Sequence, residues 1–362
     1  MTQRKLRIAL VAGGRSSEHE ISLASARSVL EALDAERYDV TSVAIGRDGR
    51  WELEAGGASP ALDTSGHVQG SGTELEASAP RGPRPGEALP VPASSGEVAT
   101  TLGEVDVVLP ILHGPFGEDG TVQGLLELAD VPYVGAGVAA SAVCMDKDFT
   151  KKVLRESGIT VARHHTLRQG DAIANPFGYP VFVKPARLGS SVGITKVHDE
   201  SELEPAVELA RRHGEKVLVE EFVAGMEVEC GVLGNRSPAP IASVVGEIVP
   251  HAEWYDYDAK YDDGGSDIII PARVDDRTAK RVQEIAAAAF VATECEGMAR
   301  IDFFVRDDGE VVLNEINTIP GFTSTSVYAR LFEASGIPYP ELLQRLIDLA
   351  LERHERRSRL KY

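Results

Sequence analysis

Two strings in the last quarter of the chain carry the residue types of a divalent-cation site. Arg300-Ile301-Asp302 is followed by Asn314-Glu315-Ile316-Asn317. On a β-strand alternate side chains share a face, so Glu315 and Asn317 project together. The turn signal Asp307-Asp308-Gly309 between the strings folds Asp302 back beside Glu315. Mg²⁺ takes few protein oxygens, keeps water and shares phosphate oxygens, which two carboxylates and an amide suit. Arg300 lies on the face of Asp302, where it could stabilise developing negative charge. An Asp, a Glu and an Asn on strands can also be a solvated face. Arg300 and the Pro320-Gly321 turn tip the reading toward a metal site.

Other segments suggest what the metal would act on. Lys184-Pro185 ends an apolar run, and Arg187-Leu188-Gly189-Ser190-Ser191-Val192-Gly193 follows. Gly and Ser let the backbone approach closely and offer N–H groups to phosphate oxygens, with Lys184 as a compact cation. The glycine order of a P-loop is absent. Lys147, in Met145-Asp146-Lys147-Asp148, is a second phosphate cation or an ordinary surface lysine. Residues 217–223 read as a strand whose backbone could meet an adenine edge. Glu227 could accept from ribose hydroxyls, although Glu220, Glu221 and Glu227 also read as a solvated acidic edge.

Two loops follow strands near the start. Gly13-Gly14-Arg15-Ser16-Ser17-Glu18-His19-Glu20 opens a helix, whose N-terminus favours anions. It is not the dinucleotide fingerprint. Glu18 could pair with a substrate ammonium or simply complement the helix dipole. His113-Gly114-Pro115-Phe116-Gly117-Glu118-Asp119-Gly120 ends another strand, at the edge where open α/β sheets bind ligands. His113 could orient a carboxylate, shuttle a proton or cap a turn.

The elements that must position these residues divide the chain into three units. Residues 6–11, a helix through Ala26, Val29, Leu30 and Leu33, and residues 38–45 give the rhythm of a doubly wound parallel sheet. A hairpin near Trp51 leads to a Gly/Ser/Pro/Ala-rich excursion over 55–100. Residues 105–112 resume the sheet, and the first domain closes at 143. A central unit over 144–227 alternates helices at 149–156 and 202–212 with strands at 181–184, 193–197 and 217–221. A third unit over 228–362 holds strands at 228–232 and 241–249, a polar aromatic loop at 251–265, a helix at 277–293, the 300–315 hairpin and a closing amphipathic helix. The fold class is mixed α/β and α+β.

Composition narrows the function. The 362 residues carry a net charge of −19, which disfavours nucleic acid while leaving room for an anion held by local cations. Cys144, Cys230 and Cys295 lack paired spacing and read as small core residues rather than a disulfide or zinc set. No apolar run matches a membrane span, and a soluble, cytoplasmic protein is expected.

Taken in order, GGRSSEHEIS, LHGPFGEDGTVQG, MDKD, VKPARLGSSVGI, YDYDAKY, RIDFF and NEINTIPGFTSTS resemble the D-alanine–D-alanine ligase family over nearly the whole chain outside 55–100. The resemblance implies a three-domain ATP-grasp fold, with ATP between the central and C-terminal sheets. It implies that Lys147, Lys184, Ser191 and Lys260 hold ATP, with Glu220, Val223 and Glu227 at adenine and ribose. Asp302, Glu315 and Asn317 would hold two Mg²⁺, replaceable by Mn²⁺, and a monovalent cation is compatible. Glu18 would take the first D-alanine's ammonium, His113 would lie by its carboxyl end, and Ser326 and Val327 would bind the second substrate. Arg300 and the Gly321 N–H would form an oxyanion hole. Tyr261 in the lid would bond Ser190. Glu221 stands where some members have Lys. The partners implied are D-alanine, ATP and a second copy of the chain, with no nucleic acid and no membrane.

A D-alanine–D-lactate ligase would share most of these features, but its lid departs from the Ala259-Lys260-Tyr261 string seen here. Other ATP-grasp ligases leave the HGPFGEDG and YDYDAKY loops unexplained. A non-catalytic nucleotide-binding module would call for a missing metal ligand, and all three are present. A Rossmann oxidoreductase would bind NAD without binding ATP. Replacing Tyr261 by Phe is expected to raise the ester-linked product relative to dipeptide when D-lactate and D-alanine compete. An unchanged product ratio, read by mass spectrometry, would remove the lid from specificity.

Overall fold

The structure, a computed structural model, describes residues 4–53, 104–190, 192–251 and 266–361. The 55–100 excursion, Ser191 and the lid string with Lys260 and Tyr261 lie outside the described residues.

The N-terminal sheet contains β1 (Leu6–Gly13), β2 (Tyr38–Ile45), β3 (Trp51–Leu53) and β4 (Val107–Ile111), in the order β3-β2-β1-β4. β1 pairs in parallel with β2 and β4, and the short β3 closes the edge antiparallel. Ile8, Leu10 and Ala12 face one side of β1 while Ala9 and Val11 face the other, so both faces bury apolar side chains. Helix α1 (His19–Ala32) covers one face. Helix α2 (Thr121–Leu128) covers the opposite one. The doubly wound expectation therefore holds, with an antiparallel edge strand.

Helix α3 (Val138–Met145) and helix α4 (Lys147–Glu156) lead into an antiparallel sheet ordered β5-β8-β6-β7. Its strands are β5 (His164–Arg168), β6 (Val181–Pro185), β7 (Thr195–Val197) and β8 (Lys216–Glu221). Helix α5 (Glu200–Arg211) packs Leu203, Ala206, Val207 and Ala210 against Val181, Val183, Val217 and Val219. A third sheet, also antiparallel, runs β11-β10-β9-β12-β13. It comprises β9 (Met226–Gly234), β10 (Ile241–Pro250), β11 (Ser266–Ile269), β12 (Gly297–Val305) and β13 (Val311–Asn317). Helix α6 (Asp276–Ala292) lies on it, its first turn capped by the Asp275 carboxylate accepting from the Thr278 N–H. Helices α7 (Val327–Ala334) and α8 (Tyr339–Ser358) complete the chain.

α4 begins two residues earlier than its apolar pattern suggests. Asp146 caps it by accepting from the Phe149 N–H. That cap places Lys147 at the first helical position, with Lys151 one turn below. Helices α2, α3 and α7 and strands β5 and β11 are additions to the expected set. α2, α3 and α7 are only eight residues long, too short for a clear period.

One core joins the two ends of the chain. Ile8, Leu10, Leu109 and Ile111 of the first sheet share it with Phe322, Tyr328, Phe332, Leu342, Leu346 and Ile347. The Tyr328 and Phe332 rings meet edge to face at 4.9 Å, and the Tyr328 hydroxyl donates to the Val232 carbonyl at 3.0 Å. Strand β9 approaches these rings at Gly231, where an added Cβ would fall 2.7 Å from the Phe332 ring. Arg353 of α8 is buried over the Tyr133 ring and donates to the Tyr133 and Gly135 carbonyls. All three cysteines are buried and free, as expected. Among the described residues no helix is long and apolar enough to cross a membrane. Phe332→Ala is expected to lower the unfolding free energy by about 3–5 kcal/mol, since it opens a cavity beneath Tyr328. Chemical denaturation checks this; a loss under about 1 kcal/mol would mean that the site collapses without a cavity.

Candidate active site

β12 and β13 form the hairpin that the turn signal implied. Asp302 pairs with Glu315 and Arg300 with Asn317, with an irregularity in register just after Asp302. The Arg306 N–H donates to the Glu310 carbonyl at 2.9 Å and closes the turn. Arg300 grips Asp302 with two parallel bonds of 2.8 Å, the geometry that a planar guanidinium offers a carboxylate. Asn317 donates to Asp302 at 3.0 Å. The same Arg300 lies 3.0 Å from Glu229 on β9, a buried carboxylate that no motif had singled out. Burial pulls the guanidinium pKa down, but Asp302, Glu229 and Glu315 outweigh it and hold it well above its ordinary value.

Across the cleft, α4 supplies two lysines one turn apart. The Lys147 ammonium donates to the Leu188 carbonyl at 2.7 Å and lies 3.7 Å from Glu315. Its own N–H donates to the Ala186 carbonyl at 2.9 Å, so α4 and the Gly/Ser loop are pinned together. The surface-lysine reading of Lys147 fails, for only 9% of the residue is exposed. Lys184 lies against Glu220 at 2.5 Å, and Lys151, 1% exposed, lies 3.0 Å from the other Glu220 oxygen. Lys151 also donates to the Asn314 carbonyl at 3.2 Å. Burial lowers its pKa to about 8 while Glu220 resists the fall. Burial would raise the Glu220 pKa, and Lys151 and Lys184 bring it below the usual carboxylate range.

Glu220 therefore corrects the acidic-edge reading: it is 3% exposed, and both of its oxygens face lysines. An adenine contact by this side chain would have to compete with two ammonium groups, which leaves the strand's backbone as the natural partner. Glu221 is tied to Arg163 at 2.7 Å, and Val223 is buried. Glu227 sits on β9 opposite Ile248 and Phe304.

The MDKD string owes its acids to architecture. Asp146 receives Lys216 at 2.6 Å and Arg187 at 2.7 Å in addition to capping α4. Asp148 accepts from His164 at 3.1 Å and Thr166 at 3.0 Å on β5, and from Lys216 at 3.2 Å on β8. Burial opposes the charge on Asp148, yet these donors hold its carboxyl well below the usual range. The helix carrying Lys147 and Lys151 is thereby fixed to the central sheet.

A third group of loops meets at Glu18. The Ser190 hydroxyl, from the Gly/Ser loop, donates to Glu18. Ser190 has a positive φ of 54°, a conformation unusual for a serine. The Ser16 hydroxyl donates to the His113 carbonyl at 2.7 Å. Gly114 has φ of 75°, and a Cβ there would fall 2.7 Å from Glu18. The His113 ring is buried with Nδ1 2.9 Å from the Ile319 carbonyl. A carbonyl can only accept, so Nδ1 carries the proton. Burial lowers the His113 pKa against the pull of Glu18, which favours the neutral ring.

Glu118 was not among the expected site residues. Its carboxylate accepts from the Gly114 N–H at 2.8 Å and the Ile319 N–H at 3.1 Å, joining the His113 loop to the chain beyond β13. Burial, then the charge on Glu18, pushes its pKa up to about 8. Its signal lay inside HGPFGEDG, but two acids side by side do not reveal which one turns inward. Beyond Ile319, Gly321 faces Ser326: a Cβ at Gly321 would sit 3.4 Å from the Ser326 hydroxyl. Ser326 caps α7, of which Val327 is the first residue, and its hydroxyl oxygen accepts from the Thr323 N–H at 3.0 Å. Among the described residues no group of three or more His, Cys, Asp and Glu side chains gathers as a metal site. The Asp302, Glu315 and Asn317 set stays below that number by having an amide as its third donor.

A doubly wound sheet followed by two antiparallel sheets that Lys147 and Lys151 of α4 bridge is the arrangement of the ATP-grasp class. Within it, family models described as D-ala D-ala ligase N-terminus and D-ala D-ala ligase C-terminus match residues 7–136 and 153–348. The chain is 50% identical over 366 residues to a D-alanine–D-alanine ligase of Mycobacterium sp. (strain KMS), covering 97% of each. Its fold is similar to that of the D-alanine–D-alanine ligase from Coxiella burnetii, with a TM-score of 0.78 and 37% identity over 98% of this chain and 97% of that one. It is equally close to the VanG D-Ala:D-Ser ligase from Enterococcus faecalis, at TM-score 0.78 and 34% identity, covering 96% of this chain and all of that one. The chain belongs to the D-alanine–D-alanine ligase family.

Proposed function

We propose that this enzyme joins two D-alanine molecules at the expense of ATP, releasing ADP and phosphate and supplying a peptidoglycan precursor. The observation that carries the reading is the meeting of Glu18, Ser190 and the His113 loop beside the Arg300–Asp302–Glu315 hairpin. An acid suited to an ammonium group stands next to a hairpin suited to metal and phosphate. Lys147, Lys184 and the loop containing Ser191 would hold the ATP phosphates, with Val223, Glu227 and the backbone near Glu220 around the nucleoside.

The donor set fits Mg²⁺: Asp302 and Glu315 lie across from one another and Asn317 adds a neutral oxygen on the same strand face. When bound, the ions would neutralise phosphate charge and draw the γ-phosphoryl group toward attack. Glu18 would orient the first D-alanine by its ammonium. That substrate's carboxylate oxygen attacks the γ-phosphorus, the bond to ADP breaks, and an acylphosphate forms. The amine of the second D-alanine, with its carboxylate held by Ser326 and its side chain near Val327, attacks the acyl carbon. Arg300 and the Gly321 N–H would hold the tetrahedral oxyanion, and phosphate leaves as the amide forms. Lys260 and Tyr261 would close over the site and keep water from the acylphosphate. The reading carries with it a cytoplasmic homodimer.

Phosphate release from ATP is expected with D-alanine and not with L-alanine, and D-serine or D-lactate should serve poorly as second substrate at neutral pH. Absence of D-alanine-dependent release would overturn the function; efficient D-serine or D-lactate incorporation would change the second substrate. Glu315→Gln is expected to cut kcat by about a hundredfold or more without shifting the melting temperature by more than a few degrees. Retained turnover would remove Glu315 from the metal set.

A further inference from the structure

We propose that Lys151 is a positioning residue for ATP: it offsets the charge of Glu220 so that Lys184 is free to turn onto the phosphates. The inference rests on the reading above that Lys184 holds ATP.

Lys151 is far from an ordinary helix lysine. Its ammonium is buried between two sheets, 3.0 Å from Glu220 on β8 and 3.2 Å from the Asn314 carbonyl on β13. It therefore ties together the two walls between which a nucleotide would lie, one residue from Glu315. Lys184 reaches the same carboxylate from β6, at 2.5 Å. One carboxylate thus has two buried cations, and the two differ in where they sit on their elements. Lys184 stands at the end of its strand, three residues before the Arg187-Leu188-Gly189-Ser190 loop begins. Lys151 sits in the middle of α4, enclosed on all sides.

A buried carboxylate that loses its last cation is strongly destabilised. With Lys151 present, Glu220 keeps a partner when Lys184 moves to a phosphate. Without it, Lys184 is the one cation left in contact with Glu220 among the described residues, and ATP must compete with that carboxylate for it. Lys151 would then set nucleotide affinity without touching the nucleotide. A lysine that merely filled space would affect stability and leave this competition unchanged.

The test measures binding of the magnesium complex of a non-hydrolysable ATP analogue by calorimetry. The wild type, Lys151→Met, Glu220→Gln and the double variant are compared, with melting temperatures and D-alanine-dependent phosphate release recorded for each. Lys151→Met is expected to weaken analogue binding about tenfold or more, and to raise KM for ATP by more than it raises KM for D-alanine. Adding Glu220→Gln should restore binding to that of Glu220→Gln alone, because the competitor is gone. Unchanged binding in folded Lys151→Met overturns the proposal. So does a double variant that is weaker than Glu220→Gln by the same factor as the single change. If Lys151→Met does not fold, the double variant against Glu220→Gln decides on the same terms. A wild type that binds no analogue removes the ATP reading itself, and the proposal with it.

Discussion

Charge neutrality inside the cleft is the constraint around which this molecule is arranged. Glu220, Glu229 and Asp302 are all buried, and taking a carboxylate out of water costs several kcal/mol unless a cation and hydrogen bonds compensate. Most of these compensations cross from one element to another. Lys151 from α4 and Lys184 from β6 meet Glu220 on β8; Arg300 from β12 meets Glu229 on β9 and Asp302 on its own strand. The caps and braces around α4 follow from that need. Asp146 and Asp148, with Lys216, His164 and Thr166, hold the helix at the one position where its lysines reach their acids.

The opposite side of the site is built on backbone rather than on charge. Positive φ at Gly114 and Ser190 brings two loops close enough to Glu18 for contact, and Glu118 ties the first of them to the segment after β13. Glycine takes this conformation without strain, whereas a serine in the left-handed region, such as Ser190, persists where surrounding structure over-determines it, and such positions concentrate at functional sites. Substrate groups would thus enter a frame whose donors are already placed, which reduces the ordering that binding must supply.

Much of this frame was legible in the chain. The Asp-Asp-Gly turn announced the hairpin and brought Asp302 near Glu315, but the register counted from the turn would oppose Asp302 to Asn314, and the irregularity between Asp302 and Phe303 makes the one-residue shift to Glu315. The doubly wound start was visible because buried parallel strands are continuous apolar runs. What escaped was whatever depended on pairing across long separations. Lys151 looks like any helix lysine until Glu220, far along the chain, arrives beside it. Glu229 looks like an alternating strand residue until Arg300 crosses its strand. Glu118 and Asp119 are equivalent neighbours in sequence, and only the fold turns Glu118 toward Ile319. The start of α4 was placed late because its apolar period does not include the residues that the Asp146 cap draws into the helix.

The core shared by β1, β4, α7 and α8 has a consequence for how the chain comes to be folded as it is made. Ile8 and Leu10 emerge from a ribosome more than three hundred residues before their partners Leu342, Leu346 and Ile347. On their face of the first sheet α1 can pack early, but the part that α7 and α8 cover stays open until they follow, while the opposite face can close over α2. The antiparallel middle sheet, whose strands all lie within β5 to β8, completes its pairing while the beginning still waits for the end. The candidate site, which draws on all three sheets, thus cannot be complete before β13 and the segment after it have been made.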